Sequence, residues 1–414
     1  MSSQLSGYGS IASLDVDPYA SLSGGNAQFK ASAPDRHLYR LTCRANELFH
    51  RKRYRASLSD YSKAIRLALT RQGGETADFV ALLYANRSAS HCMLGSYEEA
   101  RADAEIAIRI RSDWGKGFYR KGEALHGLRQ YKEALCCYEE CLQRDPTNPD
   151  ARVGVANARI KLEDEQSGLF IRQLLAGRDY AMSKSLRPIQ NKIFEFAVAM
   201  RNFIYLIADT NTRKCVIVDA CWDVPGLLDI IKQENYTLVG AIVTHHHFDH
   251  VGGAPPPPFD QFRIRVSGLA TILKKRPGVT AYVHPLDIPE LVPANPGLPL
   301  ARVRPTPDGY VLQLGERTNI QFLHTPGHTP GSQCLLVNGR RLFTGDTLFL
   351  GCCGRLDMPG GNPEAMWRSL RRLAGLADQL VVYPGHEYGG EWSTLQEEKM
   401  AGALKECPLG EWLR

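Results

Sequence analysis

At 414 residues the chain is longer than one ordinary compact domain, and at roughly 150 residues per domain it predicts two or three. With 43% hydrophobic and 23% charged residues the composition excludes wholesale disorder, collagen-like repeats and a membrane channel. The net charge of +6 lies mostly in residues 36–150, where 20 Lys/Arg face 15 Asp/Glu in alternation, so a solvated face and no nucleic-acid partner are expected.

Residues 1–35 are rich in Ser, Gly and Ala, lack an apolar period and predict a disordered tail. They also lack the basic-then-apolar pattern of a secretory signal, and no stretch approaches the ~20 apolar residues of a spanning helix, so a cytoplasmic address with no membrane partner is expected. From 36 to 165 the apolar spacing is helical and repeats. Gly122, Tyr131, Ala134, Tyr138 and Pro146 fall 34 residues after Ser88, Tyr97, Ala100, Ala104 and Ser112. An earlier copy holds Ala45, Tyr54, Ser57, Tyr61 and Ala64, with extra residues around Gln72 to Ala77 before the next copy. This register resembles tetratricopeptide repeats: three units with a capping helix from about Ala151 to Glu165, forming an all-α solenoid. Residues 166–188, including GLFIRQLLAG, read as a helical linker.

From residue 189 to 414 strand and helix alternate, which predicts an α/β domain. IFEFAVAM, FIYLIAD and CVIVDA read as strands, VPGLLDIIKQE as a helix and LVGAIVTH as a buried strand; TAYVH, IQFLHT, QCLLVN, RLFTG and LVVYPG are further strands. The prolines at 255–258 must form a loop, because proline neither donates to a ladder nor continues a helix.

Directly after LVGAIV come His245, His247, Asp249 and His250; His328 lies in HTPGHTPG, Asp346 ends RLFTGD, and His386 ends LVVYPGH. Imidazoles and carboxylates together suit zinc, with iron or manganese as alternatives, and seven such groups at strand-to-loop junctions match the needs of two divalent ions. The eleven cysteines are single or adjacent, with no CxxC, so they are read as reduced thiols rather than zinc ligands.

The THxHxDH pattern with its later PGH, GD and GHEY elements resembles the metallo-β-lactamase superfamily, which implies an αββα sandwich over residues 190 to 395. The resemblance implies that His245, His247 and His328 hold one metal, that Asp249, His250 and His386 hold the other, and that Asp346 bridges them. Asp249 and Asp346 thereby become the catalytic carboxylates, and Asp219 a structural aspartate beside the site. Within the superfamily THHHFDHVGG, GDTLFLGCCGR and VVYPGHEY look most like glyoxalase II, a group of thioester hydrolases. That implies a small-molecule thioester substrate, glutathione-linked thioesters among the candidates, touched by Arg355 and Tyr388. Asp357 stands where that group has a second tyrosine. The chain also ends 26 residues after Tyr388, so no separate carboxyl-terminal helical region is expected. Gly354-Arg355-Leu356-Asp357 and the stretch Ser393 to Glu398 are similar to the sulfur dioxygenases, so a mononuclear iron persulfide dioxygenase is the alternative. A third reading is a repeat adaptor carrying a non-catalytic metal domain.

YANRSAS and SDWGKGFYRKGEAL resemble carboxylate-clamp repeats of co-chaperones. This implies that Asn46, Asn86, Lys116 and Arg120 grip the carboxyl-terminal tail of a heat-shock chaperone, with Thr42 in place of one clamp lysine.

Overall fold

The structure is a computed structural model, and it describes residues 36–70, 77–181, 187–257 and 259–413. The expected tail and the expected insertion at 72–76 lie outside them. Among the described residues the chain divides into two units, one running to Glu163 and one starting at Asp164.

The first unit pairs α1 (Arg36–His50) with α2 (Tyr54–Thr70), α3 (Ala77–Met93) with α4 (Tyr97–Ile110), and α5 (Gly115–Gly127) with α6 (Tyr131–Arg144); α7 (Pro149–Ser167) follows. Tyr54, Tyr97 and Tyr131 each open the second helix of a pair, which is the repeat register in three dimensions. Small residues set the closeness of the helices. A Cβ at Gly122 would stand 2.6 Å from the ring of Tyr138, which is itself buried against Ala134, Ala151 and Ala158. This unit is an all-α solenoid of helical pairs that resembles tetratricopeptide repeats.

The second unit departs from expectation at its start. Residues 169–175, read as part of a helical linker, form β1 (Leu169–Leu175), antiparallel to β2 (Phe203–Asp209) from Leu169 opposite Asp209 to Leu175 opposite Phe203. Gly168, at φ +73, ends the preceding helix, and Leu169 and Ile171 alternate inward as a strand requires. Conversely IFEFAVAM, read as a strand, lies in α8 (Pro188–Met200). Its Ile193, Phe196, Ala197 and Met200 recur at helical spacing and pack on the core, Pro188 fits the first turn, and Arg201 stops the helix in a left-handed conformation.

After β2 come β3 (Lys214–Val218), α9 (Val224–Gln233), β4 (Thr237–Ile242), α10 (Phe248–Val251), α11 (Leu269–Lys275), β5 (Thr280–Val283), α12 (Ile288–Ala294) and β6 (Val303–Pro305). Then follow β7 (Val311–Gln313), β8 (Asn319–His324), β9 (Gln333–Val337), β10 (Arg341–Gly345), α13 (Pro363–Ala374), β11 (Val381–Pro384), β12 (Ser393–Thr394), α14 (Leu395–Met400) and α15 (Leu409–Trp412). The strands form two six-stranded sheets, in the orders β1-β2-β3-β4-β5-β6 and β12-β11-β10-β9-β8-β7. Tyr205 of β2 meets Phe343 of β10 and Tyr383 of β11 edge-on at 4.8 and 5.8 Å, which joins the sheets face to face. Apolar residues of α8, α9 and α11 pack with the first sheet, and those of α13 and α14 with the second, giving the αββα sandwich.

Candidate metal centre

Four chain segments converge at one edge of the sandwich: the loop after β4, the β8–β9 turn, and the residues following β10 and β11. A strand end is a rigid platform, and the loop beyond it is free to turn its side chains into a shared crevice. His245, Asp249, His250, His328, Asp346 and His386 are buried there, with His247 half-buried at the margin.

All seven sequence-predicted ligands come together. His245, His247 and His328 form one group whose ligand atoms lie within 4.8 Å of one another; Asp249, His250 and His386 form another, and His245 and His250 form a third with Asp346. The carboxylate of Asp346 spans them. Its Oδ2 lies 3.5 Å from His328 Nε2 and 3.4 Å from His386 Nε2, and its Oδ1 lies 3.4 Å from His250 Nε2. Gly385 makes this possible, because any Cβ there would collide with Asp346 Oδ1.

The outward nitrogens explain the inward ones. His250 Nδ1 lies 2.9 Å from Asp219 Oδ2, His328 Nδ1 lies 2.8 Å from the Arg355 carbonyl, and His386 Nδ1 lies 2.8 Å from the Met200 carbonyl. Each oxygen accepts, so each Nδ1 carries a proton and each Nε2 is the nitrogen turned inward, where a cation can take the place of a proton. His250 Nε2 and His386 Nε2 thus face each other at 3.1 Å, while His328 Nε2 sits 2.9 Å from His247 Nδ1. Buried His245 Nε2 and Asp346 Oδ1 have no hydrogen-bond partner among the described residues. Buried acceptors left without a partner amid converging imidazoles and carboxylates fit a cation.

The electrostatics agree. Burial, with the neighbouring imidazoles of His250, His247 and His328, holds His245 well below its ordinary value, and burial pushes His247 down to about 3. Burial alone would also lower His250, but Asp346, Asp249 and Asp219 raise it to about 10. Asp346 is buried too, yet the imidazoles of His386, His250 and His328 keep its carboxyl far below the carboxylate range. The carboxylates that favour a proton on His250 favour a cation in its place.

Asp219, expected as structural, accepts from Thr244 N at 2.8 Å and Thr244 Oγ1 at 2.7 Å as well as from His250. Tyr388 stacks on His386 with centroids 4.7 Å apart, and its hydroxyl donates to the Met200 carbonyl at 3.3 Å. Arg355 reaches the rim exposed and bound to Asp357 through two hydrogen bonds of 2.9 and 2.8 Å. The sequence reading missed Asp287, which accepts from His246 N, Thr329 Oγ1 and Gly331 N and so braces two ligand loops against each other. Its signal was the position four residues after the apolar strand TAYV. The sequence reading also missed Asn202, which is buried against the Asp249 carbonyl.

In the first unit Tyr61 donates to Asn46 Oδ1, and the same hydroxyl lies near Asn86 and Arg120. Asn86 is fully buried, and neither of its amide atoms meets hydrogen-bond geometry among the described residues. Arg120 is buried over the ring of Tyr119, and Lys116 Nζ lies 5.7 Å from the Trp114 ring. Thr42 is closed off, its hydroxyl bound to the Leu38 carbonyl, and Arg44 is committed to Asp60.

A family profile described as the metallo-beta-lactamase superfamily matches residues 199–256 and 267–386. A hydroxyacylglutathione hydrolase of Pseudomonas entomophila is 35% identical over 207 residues, covering 49% of this chain and 67% of that protein. Seven of the hydroxyacylglutathione hydrolases matched are spanned over 61–67% of their length. Among solved structures, that of ETHE1 from Myxococcus xanthus gives a TM-score of 0.43 at 27% identity, covering 59% of this chain and 88% of its own. The Sgt2 TPR domain from Aspergillus fumigatus gives 0.29 at 25% identity, covering 33% of this chain and 85% of its own.

Proposed function

The chain belongs to the metallo-β-lactamase superfamily, and from that premise we propose that its second unit is a metal-dependent hydrolase of a thioester, joined to a peptide-binding solenoid. The observation that carries the proposal is the inward convergence of ring nitrogens on Asp346, with His328 Nε2 at 2.9 Å from His247 Nδ1 and His250 Nε2 at 3.1 Å from His386 Nε2. His245, His247 and His328 would hold one divalent ion, Asp249, His250 and His386 a second, and Asp346 would touch both; zinc suits the donor set, as do iron and manganese. Such ions, when bound, polarise an acyl carbonyl and bring the pKa of water near neutrality.

The remaining work falls to the chain. Asp219 and the Arg355 and Met200 carbonyls fix which imidazole nitrogens are free to act. The exposed Arg355 guanidinium and the Tyr388 ring would touch the thiol carrier, glutathione-linked thioesters included. A thiolate leaves without a protonating acid, so no further acid side chain is required.

In the first unit, Asn46, Asn86, Lys116 and Arg120 would receive a peptide with an acidic carboxyl terminus, such as a heat-shock chaperone tail. No helix among the described residues is long and apolar enough to cross a membrane, and a cytoplasmic address is part of the proposal.

The test is metal analysis of the purified chain beside a panel including S-lactoylglutathione and coenzyme A thioesters. Two ions per chain with thioester turnover supports the hydrolase. One iron with oxygen uptake on glutathione persulfide overturns it in favour of a dioxygenase, and bound metal with neither turnover leaves a non-catalytic adaptor.

A further inference from the structure

The single-turn helix α10 (Phe248–Val251) carries two of the ligands, and its backbone does not complete itself. In a longer helix the Asp249 carbonyl would accept from the amide of residue 253. Here Gly252, at φ +75, turns the chain away, and Gly253 N donates instead to the Val266 carbonyl at 2.8 Å. Two side chains from outside the helix supply the missing donors. Asn202 Nδ2 reaches the Asp249 carbonyl at 2.5 Å and Cys221 Sγ reaches it at 2.6 Å, all three residues being buried.

The donor arrangement is fixed rather than incidental. Trp222 Nε1 donates to Asn202 Oδ1 at 2.7 Å, which assigns the amide so that its nitrogen must face Asp249. Trp222 is held by its contact with Phe248, the first residue of α10. The same two segments govern the rest of that ligand group. Asp219, two residues before Cys221, orients His250, and the backbone around Asn202 pairs with that around His386, Phe203 N donating to the Gly385 carbonyl at 2.7 Å. Among the described residues neither Asn202 nor Cys221 hydrogen-bonds to His245, His247 or His328.

We propose that Asn202 and Cys221 are positioning residues for the second cation, holding the Asp249 main chain so that its carboxylate stays aligned with His250 and His386. The inference rests on the two-ion reading given above and deepens it: occupancy of the two positions is separable, and these donors set the second. Loss of a partner behind a ligand typically weakens metal affinity by about 10- to 100-fold.

Equilibrium dialysis of the full chain against zinc, with metal counted per chain, tests this in wild type and in Asn202→Leu, Cys221→Ala and Cys221→Ser. The expected result is two ions in wild type. In Asn202→Leu and Cys221→Ala the first ion should bind as in wild type while the dissociation constant of the second rises about 10- to 100-fold. Cys221→Ser keeps a donor and should stay near wild type. Unchanged binding of both ions in the Leu and Ala variants overturns the inference, as does equal loss of both ions, which would mark a merely structural role, or a Ser variant no better than Ala. If Asn202→Leu fails to fold, the Cys221 pair carries the same comparison. A wild type holding one ion is a different failure: it removes the two-ion reading, and the inference with it.

Discussion

In the solenoid, Arg44 grips Asp60 through hydrogen bonds of 2.6 and 2.8 Å, and at the matched place in the next repeat Arg87 grips Asp103 through two of 2.7 Å. Around Asp346 in the other unit, buried imidazoles and carboxylates converge, and His245 Nε2 and Asp346 Oδ1 have no hydrogen-bond partner among the described residues. Both regions bury charge, but one closes its own account and the other needs a cation from outside. Paired opposite charges at repeating positions serve the fold, whereas converging like atoms mark chemistry.

The largest expected effect tests the open region. Asp346→Ala should cut turnover by more than about a thousandfold, about 4 kcal/mol of barrier, because the one carboxylate spanning both ligand groups is gone. Metal content should fall with it while the helical content by circular dichroism holds. Activity within tenfold of wild type would show that Asp346 bridges nothing.

Next comes a strike at the solenoid alone. Gly122→Val would drive a side chain into Tyr138, which cannot retreat because Gly154 of another helix lies so near that a Cβ there would stand 2.7 Å from the ring, and Glu123 holds its hydroxyl at 2.7 Å. Such overpacking costs about 1–3 kcal/mol, seen as a lower unfolding temperature with metal content unchanged. An unaltered melt would mean that the close approach of the helices is not what the repeat glycine secures.

These two sites also show why the chain could be read unevenly. A ligand set is visible in sequence because chemistry restricts it to His and Asp at strand ends, and a repeat is visible because Tyr97 and Tyr131 recur in register. The stretch from Gly168 to Met200 offered neither. LFIRQLL and IFEFAVAM are both apolar and of ambiguous period, and what decided them was tertiary: β2 was there to pair with Leu169–Leu175, and the core was there to receive Ile193, Phe196, Ala197 and Met200. Asn202 and Asp287 were illegible for a related reason. Each acts on a ligand loop distant in sequence, and no local spacing announces that.

A smaller effect is expected where the solenoid is proposed to meet a partner. Lys116→Ala should weaken binding of an acidic chaperone-tail peptide by about tenfold, or 1.4 kcal/mol, and amidation of the peptide terminus should do likewise. Both losses should shrink as salt rises, because Lys116 is only half-buried. Calorimetry giving equal affinities for free and amidated peptides would assign the groove another ligand.

The smallest effect separates the two matched ion pairs of the solenoid from each other. Arg44 is 58% exposed, whereas Arg87 is 21% exposed, so water screens the first pair more than the second. Asp103→Asn should therefore lower the unfolding temperature more than Asp60→Asn. The hydrogen bonds from Arg44 hold the Asp60 carboxyl below its ordinary value of 3.8, so the folded state binds that proton less readily than the unfolded one. The contribution is present above the unfolded value and is lost as pH falls through the folded one. Melting curves of wild type and Asp60→Asn should then lie a few degrees apart at most near neutrality and draw together as pH drops below 3.8. A gap that persists in acid would mean that Asp60 acts through packing and not through its charge. A gap as wide as that of Asp103→Asn would mean that exposure does not grade the two repeats.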